Sequence, residues 1–233
     1  MSGPFGDGPV RVLDPVEARV LVDDLEGARA RVSGLVAGEG AVLALAAARP
    51  TAAFSRRDTL LPGFEAASTA VAAHGYPPVL RPVGGRLAVY DEGSLVLQLL
   101  APHPEPTRHL RERFSLMGEA LAAALRSLGV DARVGRVPGE YCEGEFSVNH
   151  AGLTKLVGTG QRLTGRGFLF SAVVMVHGAD RARAALVDGY AALGLELRPE
   201  TVGCVADALP DVTLGQVSDA ILGAVADVVR TEA

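Results

Sequence analysis

PGEYCEGEFSVNHAGLTKLVGTGQRLTGRGF, residues 138–168, is the stretch on which the reading of this chain turns. It contains Cys142, one of two cysteines, together with Lys155, the single lysine, and seven glycines. Either side of it the sequence is rich in Ala, Leu and Val and reads as ordinary core. Within it, Phe146-Ser147-Val148 and Lys155-Leu156-Val157-Gly158 read as two short strands around a turn at His150-Ala151-Gly152. The pair is a hairpin, with Cys142 in the loop that enters it and Lys155 on its second arm.

Working outward, Phe168 to Val176 is another apolar strand, and Val130 to Val134 is a strand on the other side. Leu87–Tyr90 and Ser94–Leu100 flank Asp91-Glu92-Gly93, a connection of hairpin length. Ala41–Leu45 reads as a buried strand closed by Arg49-Pro50, and Phe54–Asp58 as a polar loop or strand end. Helical signals fall between these groups. Asp14-Pro15 is an N-cap followed by Pro in the first turn, with Val16, Val20, Leu21 and Leu25 in helical spacing down to Gly34. Pro62 to His74 is stopped by Gly75 and Pro77-Pro78. Arg108–Leu128 is the longest helix, with Leu110, Phe114, Met117, Leu121 and Leu125 on one face and Gly129 at its end. Asp180–Leu193 and Thr213–Val229 complete the set. Strands in hairpin groups with helices between them predict an α+β fold, a mixed and largely antiparallel sheet flanked by helices. Residues 1–12, rich in Gly and Pro, are expected to be a flexible tail, and residues 13–233 a single domain.

Composition narrows the function classes. The 233 residues carry a net charge of −5, with no basic block, which argues against sequence-independent binding of nucleic acid. No run approaches the roughly 18 apolar residues of a membrane span. The N-terminus lacks the basic and apolar regions of a signal peptide. Two cysteines make no disulfide framework, so a reducing cytoplasm is the expected compartment. There a cysteine is core filler or a reactive thiol.

Cys142 sits in a polar loop opened by Pro138-Gly139, and it needs a neighbouring cation to act as a thiolate. Lys155, on the second arm of the hairpin, is the candidate, and is itself open to two readings. It either reaches a cleft and polarises a carboxyl, thioester or phosphate oxygen, or guards an edge strand in solvent. Cys204, between Gly203 and Val205, reads as a buried hydrophobe. The loop Arg81–Arg86 contains Gly84-Gly85, which lets backbone N–H groups approach an anion or carbonyl. The five histidines have no paired metal spacing, so no metal is expected. Neither a dinucleotide fingerprint, a phosphate-binding loop nor a serine elbow occurs.

Two segments together carry a family resemblance. Arg81-Pro82-Val83-Gly84-Gly85-Arg86, followed by Ala88-Val89, resembles the R-x-S/T-G-G-x-A-V segment of the lipoate–protein ligase and octanoyltransferase superfamily. Glu140-Tyr141-Cys142-Glu143-Gly144-Glu145-Phe146-Ser147-Val148, then Gly152 and Lys155-Leu156-Val157-Gly158-x-x-Gln161-Arg162, resembles its second signature. The resemblance spans about residues 40–230. It implies the α+β catalytic domain shared by biotin and lipoate protein ligases, acting on the lysine of a lipoyl domain. The Y-C-x-G pattern ahead of the lysine is similar to the cysteine-dependent octanoyl amidotransferase branch, and the accessory C-terminal domain of many ligases is not expected here. Val83 in place of a hydroxyl residue, and Glu143 where that branch often has proline, are departures.

The resemblance implies Cys142 as nucleophile and Lys155 as its catalytic partner, stabilising the oxyanion together with backbone N–H groups near Gly84-Gly85. Arg81, Gly84, Gly85, Tyr141, Gly158 and Gln161 are the implied acyl- and substrate-binding residues. Val89 and Leu97 are expected to contribute to an apolar acyl channel. The implied partners are lipoyl-domain proteins, namely the glycine-cleavage H protein and 2-oxoacid dehydrogenase acyltransferase subunits, or acyl carrier protein. The transferred group is octanoyl or lipoyl. No cofactor is required on this reading. An ATP- and Mg-dependent lipoate ligase with Cys142 incidental is the alternative, and a non-catalytic homologue that binds lipoyl domains or a free acid is the second.

Overall fold

The computed structural model describes residues 2–232; Met1 and Ala233 lie outside them. The large sheet has seven strands. In chain order they are β1 (Val10–Val12), β2 (Ala41–Ala47), β6 (Ser94–Pro102), β7 (Ala132–Val134), β8 (Val148–His150), β9 (Thr154–Thr164) and β10 (Gly167–Met175). Their spatial order is β1-β2-β6-β10-β9-β8-β7. All pairings are antiparallel except β1 with β2, so the sheet is mixed and largely antiparallel as expected. A small second sheet has the order β4-β3-β5, from β3 (Thr51–Phe54), β4 (Pro78–Leu80) and β5 (Ala88–Tyr90).

Helices cover both sides. On one face of the large sheet lie α4 (Leu110–Ser127) and α6 (Leu214–Thr231). There Met117, Leu121 and Leu125 meet Ile221, Val225 and Val229 above Leu97, Leu99 and Phe170. On the other face are the small sheet, α1 (Pro15–Asp23), α3 (Phe64–Ala73) and α5 (Ala179–Leu193), sharing a core of Val22, Phe54, Val71, Leu87, Val96 and Leu186. The central strand β6, SLVLQLLAP, is therefore buried on both faces, which is why its sequence runs on as apolar without alternation. Among the described residues, no helix is long and apolar enough to cross a membrane.

Three expectations are corrected. Leu87–Tyr90 and Ser94–Leu100 do not form a hairpin. Tyr90 pairs with Thr51 in the small sheet, while Ser94 pairs with Met175 in the large one. Asp91-Glu92-Gly93 is a corner between sheets, fixed by the Asp91 carboxylate, which accepts from the Tyr76 hydroxyl at 2.7 Å and from the Gly93 N–H at 3.0 Å. The helix expected over 15–34 is two. After α1, capped by Asp14 as read, Asp24 accepts from the Gly27 N–H at 2.9 Å and pairs with Arg31, ahead of α2 (Ala28–Ser33). Val16 and Val20 face solvent, and Ala18 and Val22 are the buried positions of α1.

Nor is the N-terminus a loose tail. Phe5 is in the core, Pro4 C=O accepts from Arg113 at 3.0 Å, and Val10–Val12 pairs in parallel with Ala41–Leu43. Arg113 is itself fully buried under the ring of Phe168, with its carbonyl partners drawn from this segment and from Pro106.

Candidate active site

The hairpin read from the sequence is present with its first arm two residues later than expected, at Val148–His150: β8 and β9 are antiparallel, with Asn149 opposite Lys155 and a bulge at Val148/Asn149. Its turn uses two consecutive left-handed residues, Ala151 at φ 54° and Gly152 at φ 79°. This pairing sends the Lys155 side chain under the loop that carries Cys142. The ammonium donates to the carbonyls of Tyr141 at 3.0 Å and Cys142 at 2.9 Å, and lies 3.5 Å from Glu140 Oε1. It also sits 4.7 Å above the Tyr141 ring. Gly158 makes room for it, since a Cβ there would stand 3.3 Å from Lys155 Cε. An ammonium has three donors. Here two of them are used on the loop carbonyls, the Glu140 carboxylate lies at ion-pair distance, and Lys155 is only 1% exposed.

Glu140 completes the support from below. Its Oε1 accepts from the Gly144 N–H at 3.0 Å and from Ser147 Oγ at 2.7 Å, closing the 140–147 segment on itself. The result is that Cys142 is held at φ 45°, in the left-handed region. A side-chain-bearing residue there is strained by about 1–3 kcal/mol unless its surroundings hold it.

The sulfur meets the Arg81–Arg86 loop. Cys142 Sγ accepts from the Arg86 N–H at 3.2 Å and from Arg81 Nη2 at 3.4 Å, and the same Arg81 nitrogen donates to Arg86 C=O at 2.6 Å. Gly85 permits this approach. Its φ is 109°, and a Cβ would stand 2.6 Å from Cys142 Sγ and closer still to Arg81. Burial alone would push the Cys142 thiol up; the Arg81 guanidinium, the Lys155 ammonium and the Arg86 N–H outweigh it and hold the thiol below its ordinary value. Replacement of Arg81 by methionine removes the first of these. The alkylation rate of Cys142, followed against pH, should then inflect at higher pH than in the wild type, because less positive charge favours the thiolate.

Beyond the sulfur lies a cavity of about 340 Å³. Cys142, Gly84 and Gly85 form one end, and Leu110, Phe114 and Phe146 give it apolar walls. The rings of Phe114 and Phe146 are stacked, 5.4 Å apart and 7° from parallel. Gln161 lines the same space with both ends of its amide bonded: Oε1 accepts from Arg113 at 2.9 Å, and Nε2 donates to Leu110 C=O at 3.1 Å. It ties β9 to the first turn of α4 and so shapes the wall.

The structure thus gathers all eight residues singled out from the sequence, in two groups. Cys142, Arg81, Gly84, Gly85 and Gln161 surround the sulfur and its cavity. Lys155, Tyr141 and Gly158 lie beneath the loop that carries Cys142 and do not line the cavity. Val89 and Leu97 are not channel residues; each is fully enclosed in a core on its own side of the sheet. The walls that replace them come from α4 and from Phe146. Leu110 and Phe114 were legible only as the apolar face of a helix. The Arg86 N–H carries no side-chain signal at all. Cys204 is buried, as read, and burial raises its thiol. Among the described residues, no group of three His, Cys, Asp or Glu side chains is placed to hold a metal.

Residues 38–226 match the lipoyl protein ligase A/B catalytic domain. The chain belongs to that family. Within the family, it is 31% identical over 144 residues to an octanoyl-GcvH:protein N-octanoyltransferase of Geobacillus kaustophilus, an alignment covering 62% of this chain and 50% of the relative. A protein of the same description from Exiguobacterium sibiricum is 30% identical over 167 residues, covering 69% of this chain and 58% of the relative. The matched region therefore spans between half and three fifths of these curated relatives. The fold is that of lipoate–protein ligase A, whose ATP-bound crystal structure superposes with a TM-score of 0.70 at 19% identity, over 96% of this chain and 86% of the other.

Proposed function

We propose that this lipoyl protein ligase A/B family member transfers an octanoyl or lipoyl group to the lysine of a lipoyl domain through a thioester on Cys142. The observation that carries the reading is the sulfur itself: a thiol lowered by Arg81, Lys155 and the Arg86 N–H, facing an apolar cavity of about 340 Å³. That combination suits a nucleophile whose product is an acyl chain held out of water.

In the first half-reaction the Cys142 thiolate attacks the donor carbonyl. The C–S bond forms, and the oxygen becomes an oxyanion met by backbone N–H groups of the Gly84-Gly85 segment. The oxyanion then collapses as the donor carrier leaves: from a thioester as its thiolate, or from an H-protein amide as a lysine amine that takes a proton from solvent. In the second half-reaction, the neutral ε-amine of the acceptor lysine attacks the thioester, gives up one proton to solvent and expels the Cys142 thiolate, which is ready for the next donor. Acyl groups enter already joined to a carrier, so neither ATP nor Mg²⁺ takes part. Lys155 acts on this scheme as a positioning residue, its ammonium holding the two carbonyls of the nucleophile loop and lending charge to the thiolate. The octanoyltransferase relatives support an H-protein donor or acceptor, and a thiolate nucleophile suits a reducing cytoplasm.

The test is intact-mass analysis of the enzyme after mixing with an octanoylated carrier, followed by peptide mapping. One octanoyl adduct, located on Cys142 and discharged by addition of a lipoyl-domain acceptor, is the expected result. Transfer without any adduct, or lipoate-dependent pyrophosphate exchange with ATP, would overturn it.

A further inference from the structure

Lys155 accounts for only one end of the left-handed residue. It fixes the carbonyl of Cys142; the amide end is fixed by a residue nearly fifty positions away. The Cys142 N–H donates to the Tyr190 hydroxyl at 2.6 Å, and that hydroxyl donates onward to Leu87 C=O at 3.0 Å. Tyr190 is 3% exposed, so neither bond is shared with bulk water. Its helix, α5, comes this close because the preceding residue is Gly189. A Cβ there would stand 2.6 Å from Leu87 Cδ2 and 2.9 Å from Val71 Cγ1. Burial, the largest influence, raises the phenol well above its ordinary value, so the group stays an O–H able to accept and donate at once.

The two partners of this hydroxyl are the two halves of the site. Cys142 is the nucleophile. Leu87 directly follows Arg86, whose N–H points at the sulfur. One oxygen therefore joins the backbone of the reacting residue to the backbone that supplies its thiolate donor. Removing it leaves a buried N–H and a buried C=O without partners, next to a residue whose φ already needs holding.

We propose that Tyr190 is a positioning residue of the thiol site: its hydroxyl clamps Cys142 in the left-handed conformation that sets Sγ against the Arg86 N–H and Arg81 while leaving it open to the acyl cavity. The effect on the thiol follows from geometry alone. The effect on transfer rests on the thioester reading given above.

Tyr190→Phe tests this by deleting one oxygen and keeping the ring in its core. The inflection of Cys142 alkylation against pH should move upward, in the same direction as for Arg81→Met, as the sulfur loses its fixed donors. The transfer kcat should fall by about tenfold to a hundredfold, the scale of a misplacement near 1 Å, with KM for the acceptor unchanged. A residue that only stabilised the fold would lower the melting temperature and move neither the inflection nor the kcat of the folded protein. An alkylation profile and kcat like those of the wild type would overturn the proposal.

The two readings fail separately. If the wild type transfers no acyl group and Tyr190→Phe still shifts the alkylation profile, the clamp stands and the transferase reading falls. If the wild type is active and the profile does not move, the clamp falls alone. Should the variant not fold, hydrogen exchange on the wild type answers in its place: the Cys142 amide should exchange at the slow rate of core amides, and exchange at the rate of an open loop would sink the proposal.

Discussion

Cys142→Ala lowers the rate of acyl transfer to a lipoyl-domain acceptor by at least about 10³-fold, the lower end for removal of a covalent nucleophile, and leaves the protein folded. The contacts that hold the loop explain the second half of that expectation. Tyr190 bonds to the N–H of residue 142 and Lys155 to its carbonyl, so both survive truncation of the side chain. Alanine keeps the Cβ and therefore the same left-handed demand at φ 45°. What goes is the sulfur, with its two donors from Arg86 and Arg81. Arg81 keeps its bond to Arg86 C=O.

The pH dependence of stability should change in a defined sense. The folded thiol has a lower pKa than the unfolded one, burial being outweighed by the charges of Arg81 and Lys155. Its contribution to stability is fully present above the unfolded pKa and is lost as pH falls through the folded value. Wild type should therefore gain on Cys142→Ala as pH rises through the thiol range, a difference read from melting curves at a series of pH values. Acceptor modification by Cys142→Ala at the wild-type rate would remove the nucleophile from the scheme.

The sequence carried some of this site plainly and some not at all. The hairpin that sets Lys155 under Cys142 was visible, because the turn residues and the strand lengths are local properties. So was the Gly84-Gly85 loop, read as a place where backbone N–H groups approach an acceptor, although nothing in the residue types says that Gly85, at φ 109°, is the one that admits the sulfur. The failed hairpin at Asp91–Gly93 shows the limit. Strands buried on both faces lose the alternation that marks which sheet they belong to, and a three-residue turn serves equally as a corner between sheets. Lys155 illustrates a different gap. A lone lysine among apolar residues signals an unusual environment, yet whether its ammonium faces a cavity or two carbonyls and a carboxylate underneath depends on the path of a loop that no local pattern reveals. Tyr190 lies further out of reach. On sequence it is one apolar position of a helix, and its hydroxyl matters only because Gly189 lets that helix close on Leu87.

The position of Lys155 leads to the other large effect. Lys155→Met should destabilise the fold by about 3–5 kcal/mol, the cost of leaving one partner of a buried ion pair uncompensated. Glu140 is 3% exposed, and its carboxylate would lose the Lys155 ammonium while still accepting from Gly144 and Ser147. The carbonyls of Tyr141 and Cys142 would lose their donor as well. A substrate-facing lysine predicts the opposite pattern, a folded protein of near-native stability with low kcat, since an exposed ammonium contributes little to the fold. Urea unfolding separates the two. If the pair is structural, Glu140→Gln combined with Lys155→Met should unfold at a higher urea midpoint than Lys155→Met alone, because the stranded charge has gone too, and the double-mutant cycle should show coupling beyond additivity. A midpoint for Lys155→Met equal to that of the wild type would return Lys155 to the cavity side of the loop. The recovered double variant should remain a poor transferase, since its loop carbonyls are still unheld; stability can be restored by removing the charge, whereas the left-handed nucleophile needs the ammonium in place.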